Sequence, residues 1–373
     1  MAGYPKKDIK NGTYYFVLEA GKNPNGTRKR LKRTGFKTLR EAKAEMAELT
    51  LAIKNGDFLR ENKMSLSQYL DYWLDNYART NTKPKTFAEY EKMVKNHLKL
   101  SLGGIMLHEL RSIHLQSYYK DKLKVLSAQT ITHHHRLLSK ALNDAVDWEF
   151  LIKNPAKGAK PPKPVKMEMN TLNVEQLNML LATARERTPI YYPVIFAAAH
   201  TGMRKSELMG LTWKNVNFKA QRFYIRQTIT EANGTYFFNQ IPKNEKPRGV
   251  KLTAELAKLV LHLKNEHDDR KNALGEAFNE HDLVFCNSKG NIMAPSEITR
   301  ALKRALRAAH LPDIRFHDLR HSHATILLQE NVHPKIVSAR LGHSKIQVTM
   351  DTYSHITDSI EGIAVDYLND LLK

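Results

Sequence analysis

The sequence is poor in several things, and each shortage excludes a class of protein. Its 373 residues hold one cysteine, Cys286, which excludes an internal disulfide and any cysteine-rich zinc site. No apolar run reaches membrane-spanning length; the longest, Tyr191–Ala199, stops far short of about 20 residues. Basic residues open the chain without an apolar stretch behind them, so no secretory signal is expected. Acidic residues are scarce, with 38 Asp and Glu against 59 Lys and Arg. The resulting net charge of +21 points to a polyanionic partner. There is no glycine-rich phosphate loop, no carboxylate cluster and no internal repeat. These absences leave a soluble, cytoplasmic chain of two to three domains that makes no use of a membrane.

Residues 1–56 carry 13 Lys and Arg and 5 Asp and Glu. Gly12–Glu19 reads as a strand, Asn23–Gly26 as a turn, and Arg28–Arg33 as a second, basic strand. Thr38 then caps a helix over Leu39–Lys54. A small sheet on one helix, with a strand holding Arg28, Lys29, Arg30, Lys32 and Arg33, suits a reader of a DNA groove. A solvated charged face is the equal alternative.

Residues 64–152 become helical throughout. Leu66, Tyr69, Leu70, Trp73, Leu74 and Tyr77 recur at helical spacing, and further helices are expected from Pro84, over Ser112–Lys122 and over Ala128–Trp148, making a small bundle. The consecutive His133, His134 and His135 point in different directions on a helix, so they cannot share one metal ion. They are expected on a polar face. Residues 153–170 read as an extended basic linker, since Lys153–Lys166 combines five lysines with proline and glycine and has no acid. Lys157, Lys160 and Lys163 either follow a sugar-phosphate backbone or simply keep the linker hydrated.

From residue 171 the pattern is mostly helical with a small antiparallel sheet. Asn173 and Gln176 signal a helix start, Tyr192–Ala199 a buried helix, and Arg222–Ile229, Tyr236–Pro242 and Arg248–Leu252 strands. The fold class expected is therefore multi-domain α+β.

Three stretches set cations beside glycine or helix-start signals. In Thr201-Gly-Met-Arg204-Lys-Ser-Glu207-Leu, glycine permits a sharp turn that brings Arg204 to a helix N-terminus, where an anion is favoured. Alternatively Arg204 pairs with Glu207 at the surface. In His317-Asp-Leu-Arg320-His-Ser-His323, His317 and Arg320 share a helix face and match the needs of a phosphate. His317 and His321 have the spacing of zinc-binding helices, but the intervening Glu and a third ligand are not recognisable, and no metal is expected. Leu341-Gly342-His343 is followed ten residues later by Tyr353.

These motifs, in this order, resemble the tyrosine recombinase family, and most closely the integrases of temperate phages and conjugative transposons. The resemblance covers essentially the whole chain. It implies an arm-type DNA-binding domain at 1–56, a helical core-binding domain at 64–152, and a catalytic domain at 171–373. It makes Arg204, His317, Arg320 and His343 catalytic and Tyr353 the nucleophile. Lys243 is the general-acid candidate, with Asn244 where the family often has Thr, and with Lys246 and Lys251 close by. Glu207 would fix the helix or orient a catalytic side chain. The implied reaction is cleavage and rejoining of DNA strands through a 3′-phosphotyrosyl link, without metal, nucleotide or other cofactor. The implied partners are double-stranded attachment sites of core and arm types, DNA-bending and excision proteins, and three further copies forming a tetramer on DNA. Ile360–Leu371 carries an apolar stripe that either packs on the chain's own core or, as the resemblance implies, docks on a neighbouring protomer. A type IB topoisomerase and a non-catalytic architectural DNA-binding protein are the competing readings.

Overall fold

The computed structural model describes residues 4–9, 11–22, 28–54, 64–165, 170–240, 248–278, 281–343, 345–347, 349–350 and 371–372. The chain divides into two compact units, Met1–Lys166 and Met167–Lys373.

In the first unit, β1 (Lys6–Lys7), β2 (Tyr14–Lys22) and β3 (Arg28–Phe36) form an antiparallel sheet in that order. The helix α1 (Leu39–Lys54) starts on a capping box: Glu41 N–H donates to Thr38 Oγ1 at 3.2 Å, and Thr38 N–H donates to Glu41 Oε2 at 3.3 Å. Ala42 packs on Phe16 and Leu18, so α1 covers one face of the sheet.

The helical part of this unit opens with α2 (Leu66–Trp73), capped reciprocally by Ser65 and Gln68. It continues through a π-helical segment, Leu74–Ala78, into α3 (Arg79–Asn81). In the same way α4 (Pro84–Met93) passes through Val94–Leu98 into α5 (Lys99–Leu102), and α6 (Ser112–Lys122) and α7 (Ala128–Asp147) complete the bundle. Helical periodicity does not reveal the two π segments, which each slip the apolar stripe by one residue. At the centre, Trp73 Nε1 donates to Asp144 Oδ2 at 2.7 Å, and Lys140 Nζ donates to Asp144 Oδ1 at 2.8 Å.

The structure departs from the sequence expectation at His134 and in the basic segment after α7. His134 is not on a polar face: it is buried, 2.8 Å from the Tyr118 hydroxyl, and burial first, then His97 and Lys122, depress its pKa to about 4. The basic segment after α7 does not run free either. Asn154 caps a short 3₁₀ turn, Pro155–Gly158, and Ala156 and Ala159 are buried in the helical core. Gln116 exchanges two hydrogen bonds with Lys160, and Thr132 Oγ1 donates to the Pro162 carbonyl, so proline and glycine here give a docked turn.

The second unit begins with α8 (Val174–Arg187), capped by Asn173 and Gln176 as the sequence indicated, then α9 (Tyr192–Thr201) and the short α10 (Lys205–Met209). Next come β4 (Val216–Asn217), β5 (Arg222–Ile225), β6 (Gln227–Ala232), β7 (Thr235–Gln240) and β8 (Arg248–Lys251). The expected single strand over 222–229 is two strands: β5 pairs with β8, whereas β6 pairs with β7. Phe223, Ile225, Gln227 and Ile229 alternate inward without interruption, which hid the change of partner at Arg226. The unit closes with α11 (Ala254–Leu274), α12 (Pro295–Ala308), α13 (Asp318–Gln329) and α14 (Pro334–Leu341). Leu180, Ile195, Leu208, Phe223, Leu256, Ile298 and Leu319 share one core. The tail stripe expected over Ile360–Leu371 lies outside the described residues except at Leu371.

Candidate active site

The site is assembled from chain turns that only certain residues permit. Helix α9 ends at Gly202, whose φ of +65° suits glycine, and an added Cβ would meet Leu341 Cδ2 at 2.7 Å and His323 Cδ2 at 2.8 Å. The reversal puts Arg204 at the N-cap of α10. Its backbone N–H donates to Glu207 Oε2 at 2.9 Å and its Nη1 donates to Oε1 at 2.8 Å. The Arg204–Glu207 pairing weighed from the sequence is thus real. Glu207 is no surface group, however, at 5% exposed. It also accepts from Arg248 on β8, Nη2 to Oε2 at 2.9 Å and Nη1 to Oε1 at 3.3 Å. Burial alone would raise the Glu207 pKa; Arg248 and then Arg204 outweigh it and hold the carboxyl below its usual value.

Helix α13 supplies the second element. Asp318 accepts from the Arg315 backbone N–H at 2.7 Å and from Arg315 Nη2 at 2.8 Å, fixing the helix start. His317 sits at its N-cap, and Arg320 is buried with Nη1 donating to the Gly202 carbonyl at 2.8 Å. Ser322 Oγ donates to the Asp318 carbonyl at 2.9 Å and accepts from the Leu172 N–H at 2.9 Å. Lost hydration, then Arg320 and Arg204, lower the His317 pKa. The His321 ring lies edge-on to His317 at 4.9 Å, and burial followed by His317 brings its pKa down to about 4.

The third element follows α14, which ends at Gly342 with φ of +71°. His343 N–H donates to the Ser338 carbonyl at 3.1 Å, and its Nδ1 lies 2.7 Å from Oγ1 of the buried Thr349. Burial first, then Arg320, Arg204 and Arg248, push its pKa down to about 4, so its imidazole is neutral near pH 7.

The structure therefore brings Arg204, His317, Arg320 and His343 together. Gly202 joins the first arginine motif to α13, Glu207 joins it to β8, and the three arginines act jointly on His343. Lys243, in the connection between β7 and β8, and Tyr353, three residues after Met350, lie outside the described residues. Sequence reasoning missed Arg248, one arginine in a basic stretch with no telling spacing. It also left His323 without a role: the His323 ring is buried, with its two nitrogens against the Ala199 carbonyl and Arg340.

The nucleic-acid candidates separate by face. Arg30 and Lys32 are exposed on the sheet face opposite α1, with Lys32 Nζ 4.9 Å from the Tyr15 ring centre. Arg33 stands opposite Phe16 and is half-buried. Only the backbone is described for Arg28 and Lys29. Lys157, Lys160 and Lys163 are all exposed.

Residues 170–359 match the phage integrase family, residues 4–53 an arm DNA-binding domain, and residues 65–123 the N-terminal SAM-like domain of phage integrases. A tyrosine recombinase XerC-like protein of Caldanaerobacter subterraneus is 30% identical over 97% of this chain and 98% of its own length. The ICEBs1 integrase of Bacillus subtilis is 22% identical over 98% of this chain and 99% of its own. Among solved structures, the Tn1549 transposon integrase in complex with a circular intermediate DNA has a TM-score of 0.68 at 18% identity, over 80% of this chain and 99% of that one. A lambda integrase dimer bound to a core site has a TM-score of 0.60 at 16% identity, over 95% of both chains. The chain belongs to the phage integrase family, the tyrosine recombinases, which cleave and rejoin DNA strands. Among the described residues no helix is long and apolar enough to cross a membrane.

Proposed function

We propose that this chain is a site-specific recombinase that integrates or excises a mobile element, and that Arg204, Lys243, His317, Arg320, His343 and Tyr353 perform the chemistry. The observation that carries this reading is the convergence of Arg204 and Arg320 on two imidazoles, His317 and His343, both with lowered pKa values.

A tyrosine phenol has a pKa of about 10, so it must lose its proton as it attacks phosphorus. The neutral His343 or His317 accepts that proton. The Tyr353 oxygen bonds to phosphorus, the bond to the 5′-oxygen breaks, and Lys243 protonates the departing 5′-hydroxyl. Arg204 and Arg320, which keep their charge throughout, neutralise the charge gathering on the non-bridging oxygens. Removing one such donor typically slows cleavage by on the order of 10²–10³. The 3′-phosphotyrosyl ester conserves the energy of the broken bond, so rejoining needs no ATP.

The same reading assigns residues 1–56 to arm-type sites, 64–152 to core-type sites, 153–170 to backbone contact, and 171–373 to catalysis. The working form would be a tetramer on double-stranded DNA in the cytoplasm, assisted by bending and excision proteins. Arg28, Lys29, Arg30, Lys32 and Arg33, with Lys157, Lys160 and Lys163, would contact phosphates or groove edges.

The test is a nicked suicide duplex carrying the end of the element. The wild-type chain should migrate covalently with the oligonucleotide on denaturing gels, and the Tyr353→Phe chain should not. Absence of any wild-type adduct would refute the proposal. Relaxation of supercoiled plasmid lacking attachment sites would instead favour a topoisomerase.

A further inference from the structure

Arg248 has no part in the chemistry just described, yet it touches two of the elements that carry it. It forks onto Glu207 with two hydrogen bonds, 2.9 and 3.3 Å long. The same guanidinium lies against Gly342: a Cβ there would stand 2.1 Å from Arg248 Nη1 and 2.9 Å from its Cζ. Resting on the proposed function, we infer that Arg248 is a positioning residue, which through Glu207 fixes the aim of Arg204 and against Gly342 fixes the turn presenting His343.

A buried carboxylate facing Arg204 alone would cancel the charge that the phosphate needs. With Arg248 as a second partner, two guanidiniums share one carboxylate, and the corner keeps a net positive charge. The two arginines also divide the work by exposure: the Arg248 side chain is 16% exposed and that of Arg204 42%. The more enclosed arginine holds Glu207 by both oxygens, as a rigid fork does. Among the described residues, the side chain of Arg204 bonds only to Glu207, which leaves its remaining donors for a phosphate oxygen. Gly342 completes the device, because any side chain there would occupy the space of the fork.

The experiment compares wild type, Arg248→Gln, Arg248→Lys, Glu207→Gln and the Arg248→Gln/Glu207→Gln double variant on the nicked duplex. It reads the rate of covalent adduct formation at saturating protein and, separately, affinity by fluorescence anisotropy. Arg248→Gln should cleave roughly 10–100-fold more slowly, with affinity within about threefold of wild type. Arg248→Lys should recover part of the rate, since it restores charge without the fork. In the Glu207→Gln background, Arg248→Gln should add little, because both substitutions break one linkage.

Wild-type cleavage by Arg248→Gln, full additivity with Glu207→Gln, or a loss confined to affinity would each overturn the inference. If Arg248→Gln melts below the assay temperature, Arg248→Lys decides: a wild-type rate overturns the fork, and a partial rate supports it. A wild-type chain that forms no adduct would overturn the proposed function itself, whereas an unimpaired Arg248→Gln beside a cleaving wild type would overturn only this inference.

Discussion

Arg340 donates from Nε to Nε2 of His323 at 3.0 Å, while the opposite ring nitrogen of His323 donates to the Ala199 carbonyl at 2.8 Å. Both nitrogens are committed, so His323 must be the neutral imidazole with its proton on Nδ1. Arg340 also donates to the His200 carbonyl at 2.8 Å and to the Lys251 carbonyl at 3.1 Å, tying α14 to α9 and β8.

Protonating His323 would therefore break a structural link. Burial, then Arg340, hold its pKa at about 4, whereas the unfolded chain takes up that proton near 6.5. Between those values the unfolded state binds more protons, so the stability contributed is present above about 6.5 and is lost as pH falls toward about 4. His134, also at about 4, acts in the same direction in the helical part of the first unit. The urea midpoint should fall steadily from about pH 6.5 to about pH 4.5, and a midpoint indifferent to pH would contradict this.

The proposed role of His343 gives a separate pH prediction. With the His343 pKa at about 4, the rate of strand cleavage should hold as pH drops below 6.5 and decline only nearer 4. Single-turnover adduct formation on the nicked duplex, read at temperatures where the chain stays folded, supplies the profile. An acid limb at the ordinary histidine value of about 6.5 would remove His343 from the proton-accepting role.

Gly202→Ala should be damaging twice over. The positive φ and the two contacts below 3 Å predict a loss of about 1–3 kcal/mol in unfolding free energy. Because the Gly202 carbonyl anchors Arg320, cleavage should fall even in the folded fraction. Chemical denaturation combined with the adduct assay separates the two effects.

In the helical bundle, Asp144→Ala would strand the indole N–H of the fully buried Trp73 and deprive Lys140 of its carboxylate partner. A loss of about 2–3 kcal/mol is expected, and Asp144→Asn, which retains an acceptor, should lose less. Thermal melting of the two variants side by side gives the comparison.

The docked basic segment makes a prediction about salt. If exposed Lys157, Lys160 and Lys163 each neutralise one phosphate, replacing all three with glutamine should flatten the plot of log affinity against log salt by about 2–3 units of slope. An unchanged slope would return these lysines to simple hydration of the surface.

Much of the architecture was legible because its signals are local. Asn173 and Thr38 announce helix starts through their own side chains, and Gly202 and Gly342 mark turns close before Arg204 and His343. What escaped was the choice of distant partners. Arg248 and Glu207 are 41 residues apart and nothing in their spacing links them. His134 looks polar until Tyr118, on another helix, supplies its hydrogen bond. The run of inward residues from Phe223 to Ile229 is continuous although the strands they join change neighbours. Proline and glycine after Lys153 announce irregular backbone, and whether such backbone docks or floats is decided by Ser112, Gln116 and Thr132 on other helices.

The hydroxyl of Ser322 works as a rivet between the backbone entering the second unit at Leu172 and the first turn of α13. Removing that single oxygen would release the strand of chain at Leu172 and the turn holding His317 and Arg320 together, so one small side chain secures two parts of the site's scaffold.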